Sequence, residues 1–133
     1  AEANAIAPGK RMLSSMTPTI IEKDGALFMV IGAPGGSTII TAVFQVFLNV
    51  AAFGMDLEAA VNASRFHHQW LPDRILIEKN GLNQDIKEKL TAMGHQLHEV
   101  NYMAVIKAIH RLQDGTLRGV GDRRNPDDDA RGY

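Results

Sequence analysis

The chain has 133 residues, 14 Lys+Arg against 15 Asp+Glu, a formal net charge of -1 and 45% hydrophobic residues. That is the size and composition of one globular domain, or of one piece of a larger one. The balanced charge leaves no electrostatic footprint for nucleic acid or an anionic membrane, and the absence of cysteine excludes disulfides, thiolate metal sites and thiol nucleophiles.

Residues 1–10 read as an extended arm with no signal-peptide pattern. Two β-rich runs, 17–22 and 26–31, flank Lys23-Asp24-Gly25, a strong hairpin signal because glycine accepts the positive φ of the turn. The second run is almost wholly apolar and predicts a strand buried on both faces. After Gly32-Ala33-Pro34-Gly35-Gly36-Ser37 comes a helix over 38–53, with Ser37 as N-cap and Gly54 at its C-terminal cap. Its apolar residues cover more than one stripe, which predicts a helix sandwiched between layers. The same stretch is too short to span a bilayer.

A second helix is expected over 56–64, capped by Asp56, then an irregular link over 65–72. A strand over 74–78 and an amphipathic helix over 83–93 follow, the latter presenting Ile86, Leu90 and Met93 and ended by Gly94. An edge strand over 96–100 precedes a last hairpin, 103–112 with 116–121, and residues 122–133 form a charged tail without periodicity. The order predicts an α+β fold of helices packed on largely antiparallel strands.

Three features bear on chemistry. A strand ending in Gly-x-Pro-Gly-Gly-Ser before a helix leaves consecutive backbone N–H groups open to close approach at Gly35 and Gly36. Such a nest suits a phosphate, a carboxylate or the oxyanion of an acyl-transfer intermediate, and it equally suits an ordinary tight turn. Ser14 and Ser15 are adjacent hydroxyls that serve either a carboxylate or the local backbone. The histidines at 67, 68, 95 and 98 lack metal-ligand spacing, and Asp127-Asp128-Asp129 is not a calcium loop; no metal or cofactor is expected. No serine lies in a Gly-x-Ser-x-Gly elbow, and an internal threonine lacks the α-amino group that would serve as its base. The residues offer a cradle without a nucleophile.

Lys10-Arg11-Met12-Leu13-Ser14-Ser15-Met16-Thr17-Pro18-Thr19, Gly32 to Ser37, Asn62 to Pro72, and the ending Gly121-Asp122-Arg123-Arg124 to Gly132-Tyr133 together resemble the γ-glutamyltranspeptidase family over nearly the whole chain. The resemblance implies part of an αββα N-terminal-nucleophile hydrolase sandwich, with residues 1–133 as the C-terminal part of the small subunit of a self-cleaving precursor. It implies that Ser14 and Ser15 bind the α-carboxylate of a γ-glutamyl group and that the Gly35 and Gly36 N–H groups form the oxyanion hole. The family's nucleophilic threonine has no counterpart in these residues.

The expected activity of the full-length protein is transfer or hydrolysis of the γ-glutamyl group of glutathione or a related amide, in the periplasm or outside the cell. The remainder of the precursor is the expected partner, with no nucleic acid and no membrane. The 133 residues alone are expected to be inactive and to self-associate through open strand edges. A cephalosporin- or glutaryl-type acylase of the same fold is the nearest alternative, and a non-catalytic binding module the second.

Overall fold

The computed structural model describes residues 5–12 and 15–132. In chain order the elements are β1 (Thr19–Lys23), β2 (Ala26–Gly32), α1 (Ile39–Ala51), α2 (Leu57–Asn62), β3 (Phe66–His67), β4 (Ile75–Glu78), α3 (Gln84–Ala92), β5 (Leu97–Val100), β6 (Lys107–Arg111) and β7 (Leu117–Val120). At the β1–β2 turn Asp24 and Gly25 take φ of 53° and 75°, the hand that matches a two-residue turn to strand twist. The first sheet has the order β1-β2-β6-β7, with every neighbour antiparallel.

Its inner face follows from strand alternation. Met29 and Ile31 point inward, and the register sets Ile31 beside Ala108. On this face α1 lays Ile39, Ala42, Val43, Val46 and Val50, and α2 adds Leu57, Ala60 and Val61. The three-and-four spacing of those positions puts them on one side of each helix. Asp56 caps α2 through a bond from the Glu58 N–H, 2.9 Å, as its position before the helix predicts.

Two expectations are corrected here. β2 is buried on one face only: Ile20, Val30 and Ile109 are in register on the other side and are 71%, 37% and 43% exposed. Likewise α1 is covered on one side, with Ile40 and Phe44 exposed. Both elements carry apolar residues all round, yet among the described residues this sheet and its helices cover each other on one face only.

The second sheet has the order β3-β4-β5. Part of the expected irregular link is strand, since Phe66 and His67 pair antiparallel with Ile77 and Leu76. β4 and β5 are parallel, the one departure from an antiparallel pattern, and α3 makes the crossover that a parallel pair requires. α3 buries no residue completely, and Met93 is exposed. It is held to β5 partly by Lys87 and Glu99, 2.5 Å apart.

The bare apolar face gives a first prediction. The isolated 14.6 kDa chain associates in a concentration-dependent way. Replacing Val30 and Ile109 together by Thr lowers its average mass in sedimentation equilibrium. A monomer at all concentrations for both chains would show that this face is no association surface.

Candidate functional site

The glycine loop is held from two sides. The Ala33 N–H donates to the Met16 carbonyl, 2.9 Å, so the stretch carrying Ser15 lies against the approach to the loop. Ser15 itself is exposed. Ser14 lies outside the described residues. On the other side the Val105 N–H donates to the Pro34 carbonyl, 3.1 Å. Thr38 then donates its hydroxyl to the Gly35 carbonyl, 3.0 Å.

Gly35 has φ 143° and Gly36 φ 66°, conformations that side chains other than glycine rarely adopt. At Gly35 space also forbids a side chain, because a Cβ there would sit 2.5 Å from the Ala104 Cα. Among the described residues neither the Gly35 nor the Gly36 N–H donates to a protein acceptor. The expected Ser37 cap is not formed. A single 3₁₀ turn, Gly36–Thr38, precedes α1, and the N-cap residue is Thr38, with no side-chain cap bond. The tighter turn carries the chain out of the glycine pair before α-helical geometry begins.

The segment behind the loop is Met103 to Ile106, and it is not the strand that residues 103–112 predicted; β6 begins at Lys107. Its peptide groups instead bond to buried charged side chains. The Met103 N–H donates to Glu78 Oε1, 2.8 Å, and the Ile106 N–H to Asp122 Oδ2, 2.8 Å. Arg65 Nη1 donates to the Met103 carbonyl, 2.8 Å. Ala104, with φ 52°, sits between these anchors and is the residue that meets Gly35.

Those three side chains belong to one network of four. Arg65 pairs with Asp122 at 2.9 Å. Arg124 spans both Glu78 oxygens, reaches Asp122 Oδ1 at 3.0 Å, and donates to the Val61 and Ala63 carbonyls. All four side chains are at most 7% exposed, and the two cations balance the two anions. Burial pushes the Asp122 carboxyl up, but the Ile106 N–H and the Arg65 guanidinium outweigh it and hold it below the usual carboxylate range. For Glu78 burial is likewise overcome, by Arg124 and the Met103 and Arg65 N–H groups. Burial lowers Arg65, the Asp122 partner notwithstanding, whereas Arg124 is raised because Glu78 and Asp122 outweigh its burial. Part of the charged tail is therefore buried, at Asp122 and Arg124. The signal available in sequence was Glu78 closing an apolar strand and Asp122 next to paired arginines.

The histidines are structural or exposed. His67 is buried with Nδ1 2.7 Å from Thr41 Oγ1 and Nε2 2.9 Å from Gln69 Oε1, and His68 pairs with Asp73 at the surface. Among the described residues no three His, Asp or Glu side chains form a group fit for a metal ion.

Comparison with known proteins bears on the family and the fold. The family model described as Gamma-glutamyltranspeptidase matches residues 1–132. The glutathione hydrolase proenzyme of Escherichia coli is 46% identical over 132 residues, covering 99% of this chain and 23% of that protein. The proenzyme of Bacillus subtilis (strain 168) is 37% identical, covering 90% and 20%. The chain thus spans about a fifth of the length of these curated relatives. Among solved structures, Helicobacter pylori gamma-glutamyltranspeptidase T380A superposes with a TM-score of 0.84 at 46% identity, covering 94% of this chain and 69% of that one. The Pseudomonas nitroreducens gamma-glutamyltranspeptidase complexed with L-DON gives 0.79 at 44%, covering 98% and 66%.

The buried carboxylates set an acid limit. Groups whose folded pKa is depressed contribute stability that is full above their unfolded values, about pH 4, and lost as pH falls through the folded values. The midpoint of thermal unfolding of the full-length protein should therefore be flat near neutrality and fall as the pH drops below about 4. Asp122→Asn should lower it at pH 7 and flatten the acid limb. Equal acid limbs in both proteins would count against this role.

Proposed function

The chain belongs to the gamma-glutamyltranspeptidase family, and on that premise we propose that it supplies half of the acyl-transfer site of a full-length γ-glutamyltransferase or glutathione hydrolase. The observation that carries the proposal is the pair of N–H groups at Gly35 and Gly36, which have no protein acceptor among the described residues. A nucleophile from the upstream part of the protein attacks the γ-carbonyl carbon of the substrate. The carbonyl oxygen takes up negative charge, and these two donors stabilise it. The amide C–N bond then breaks, the proton given up by the attacking nucleophile passes to the departing amine, and water or a second amine releases the glutamyl group.

Ser14 and Ser15 hold the donor by its α-carboxylate. In support, the bond from Ala33 to Met16 sets the Ser15 stretch beside the loop. The binding partner within the protein is its own upstream part, packed on the face that carries Ile20, Val30 and Ile109. The relatives are named proenzymes, which supports release of this part by cleavage of a precursor. A periplasmic or extracellular site belongs to the same proposal. No helix among the described residues is long and apolar enough to cross a membrane.

The test uses the full-length protein and a chromogenic γ-glutamyl anilide. Gly35→Ala forces a Cβ against Ala104 and disturbs the loop, so kcat should fall on the order of 10²-fold or more, the scale of losing one such donor. Ser14→Ala with Ser15→Ala should instead raise KM. An unchanged KM in the double variant would overturn the serine assignment. Turnover of a glutaryl amide equal to or above that of the γ-glutamyl compound would favour the acylase reading, and the 133-residue chain alone should turn over neither.

A further inference from the structure

We propose that Arg65, Glu78, Asp122 and Arg124 are positioning residues, whose shared task is to hold Ala104 against Gly35 and so to set where the glycine N–H groups point. The inference rests on the reading of that loop as an oxyanion cradle.

Three observations converge on it. First, the network does not merely fill the interior; Arg65, Glu78 and Asp122 each bond to peptide groups of residues 103–106, and Arg124 holds Glu78 and Asp122 in place. Glu78 takes the Met103 N–H, Arg65 gives to the Met103 and Ala104 carbonyls, and Asp122 takes the Ile106 N–H. This segment has no strand partner over those residues, so the ionic groups do the work that a sheet ladder does elsewhere.

Second, the segment is set in a conformation that its own sequence does not favour. Ala104 adopts φ 52°, a left-handed geometry disfavoured for alanine. Side chains anchoring the peptide groups on both sides of it hold it there. Third, the contact with the loop is close. The hypothetical Gly35 Cβ falls 2.5 Å from the Ala104 Cα and 2.9 Å from its Cβ, and one residue further on Val105 donates to Pro34. A shift of residues 103–106 therefore displaces the loop itself. Donor hydrogen bonds to a developing oxyanion depend steeply on such placement.

The four side chains come from distant parts of the chain, namely the link just before β3, the end of β4 and the segment after β7. Folding both sheets correctly is thus a condition for forming the loop. None of the four groups is placed to touch substrate, because each is spent on protein partners.

The experiment is steady-state kinetics of the full-length protein on a γ-glutamyl anilide. Arg124→Lys keeps the charge but cannot span Glu78, Asp122 and two carbonyls together. It should lower kcat about 10-fold to 100-fold while KM changes less than about 3-fold, since the lost interaction acts on the transition state. Arg118→Lys, altering an ion pair with Asp56 and Glu58 at the surface, should leave both constants unchanged. Should Arg124→Lys fail to fold, Ala104→Gly decides: glycine prefers the left-handed φ, so the unfolding midpoint should hold or rise while kcat falls with KM unchanged. Wild-type kcat in a folded Arg124→Lys or Ala104→Gly protein overturns the positioning role, as does a rise in KM at constant kcat. A wild-type protein without γ-glutamyl turnover overturns the functional reading instead.

Discussion

Two guanidinium groups and two carboxylates with almost no access to water form the constraint on which the rest of the molecule depends. Taking each ion out of water costs several kcal/mol, and well-packed apolar side chains of the same volume often serve stability as well or better. What apolar side chains cannot do is bond to peptide groups. Here Arg65, Glu78, Asp122 and Arg124 satisfy carbonyls at Val61, Ala63 and Met103 and N–H groups at Arg65, Met103, Ile106 and Arg124. Three backbone segments, 61–65, 103–106 and 122–124, are thereby fixed to one another. Their mutual neutrality keeps the cost bearable: losing one partner would leave an unpaired charge inside, which typically costs about 3–5 kcal/mol.

The apolar core and the network divide the task between them. Met29, Ile31, Val46, Leu57 and Ile106 bury α1 and α2 on the first sheet, a non-directional attraction that fixes layers but not loop geometry. Direction comes from the hydrogen bonds, which reach across from the second sheet through Glu78 at the end of β4. Arg65 carries one donor, its Nε, that is buried without a partner among the described residues. The arrangement tolerates that loss because the other nitrogens of the same group are heavily used.

Much of the scaffold was legible in the residues. The Asp24–Gly25 hairpin, the Asp56 cap, the strand at 75–78 and the terminal hairpin each follow from local rules of turn chemistry and periodicity. The errors have a common cause. A run such as Phe28 to Ile31, or the all-round apolar α1, states that burial is wanted but not how much of the cover lies in the same stretch of chain. Pattern alone therefore predicted two covered faces where one is found. Segment 103–106 failed for a different reason. Met-Ala-Val-Ile has strand propensity, but its peptide groups bond to side chains 16 or more positions away, and no local rule sees them. The glycine pair was visible as a possible cradle. That Gly35 must be glycine for lack of space as well as for φ required the position of Ala104.

The bare sheet face and the glycine loop are two ends of one strand. β2 presents Val30 outward between Ile20 and Ile109, and a few residues later it becomes the loop at Gly35. Whatever packs on that face thus approaches the same strand that delivers the cradle. A partner bound there by apolar burial gains rigid registry with Gly35 and Gly36 without contacting them, since β2 is a short, paired strand with little freedom to bend. On the opposite side the ionic network fixes the loop through residues 103–106. The loop is thus reached from one side by the strand that carries the exposed apolar face and fixed from the other by polar contacts.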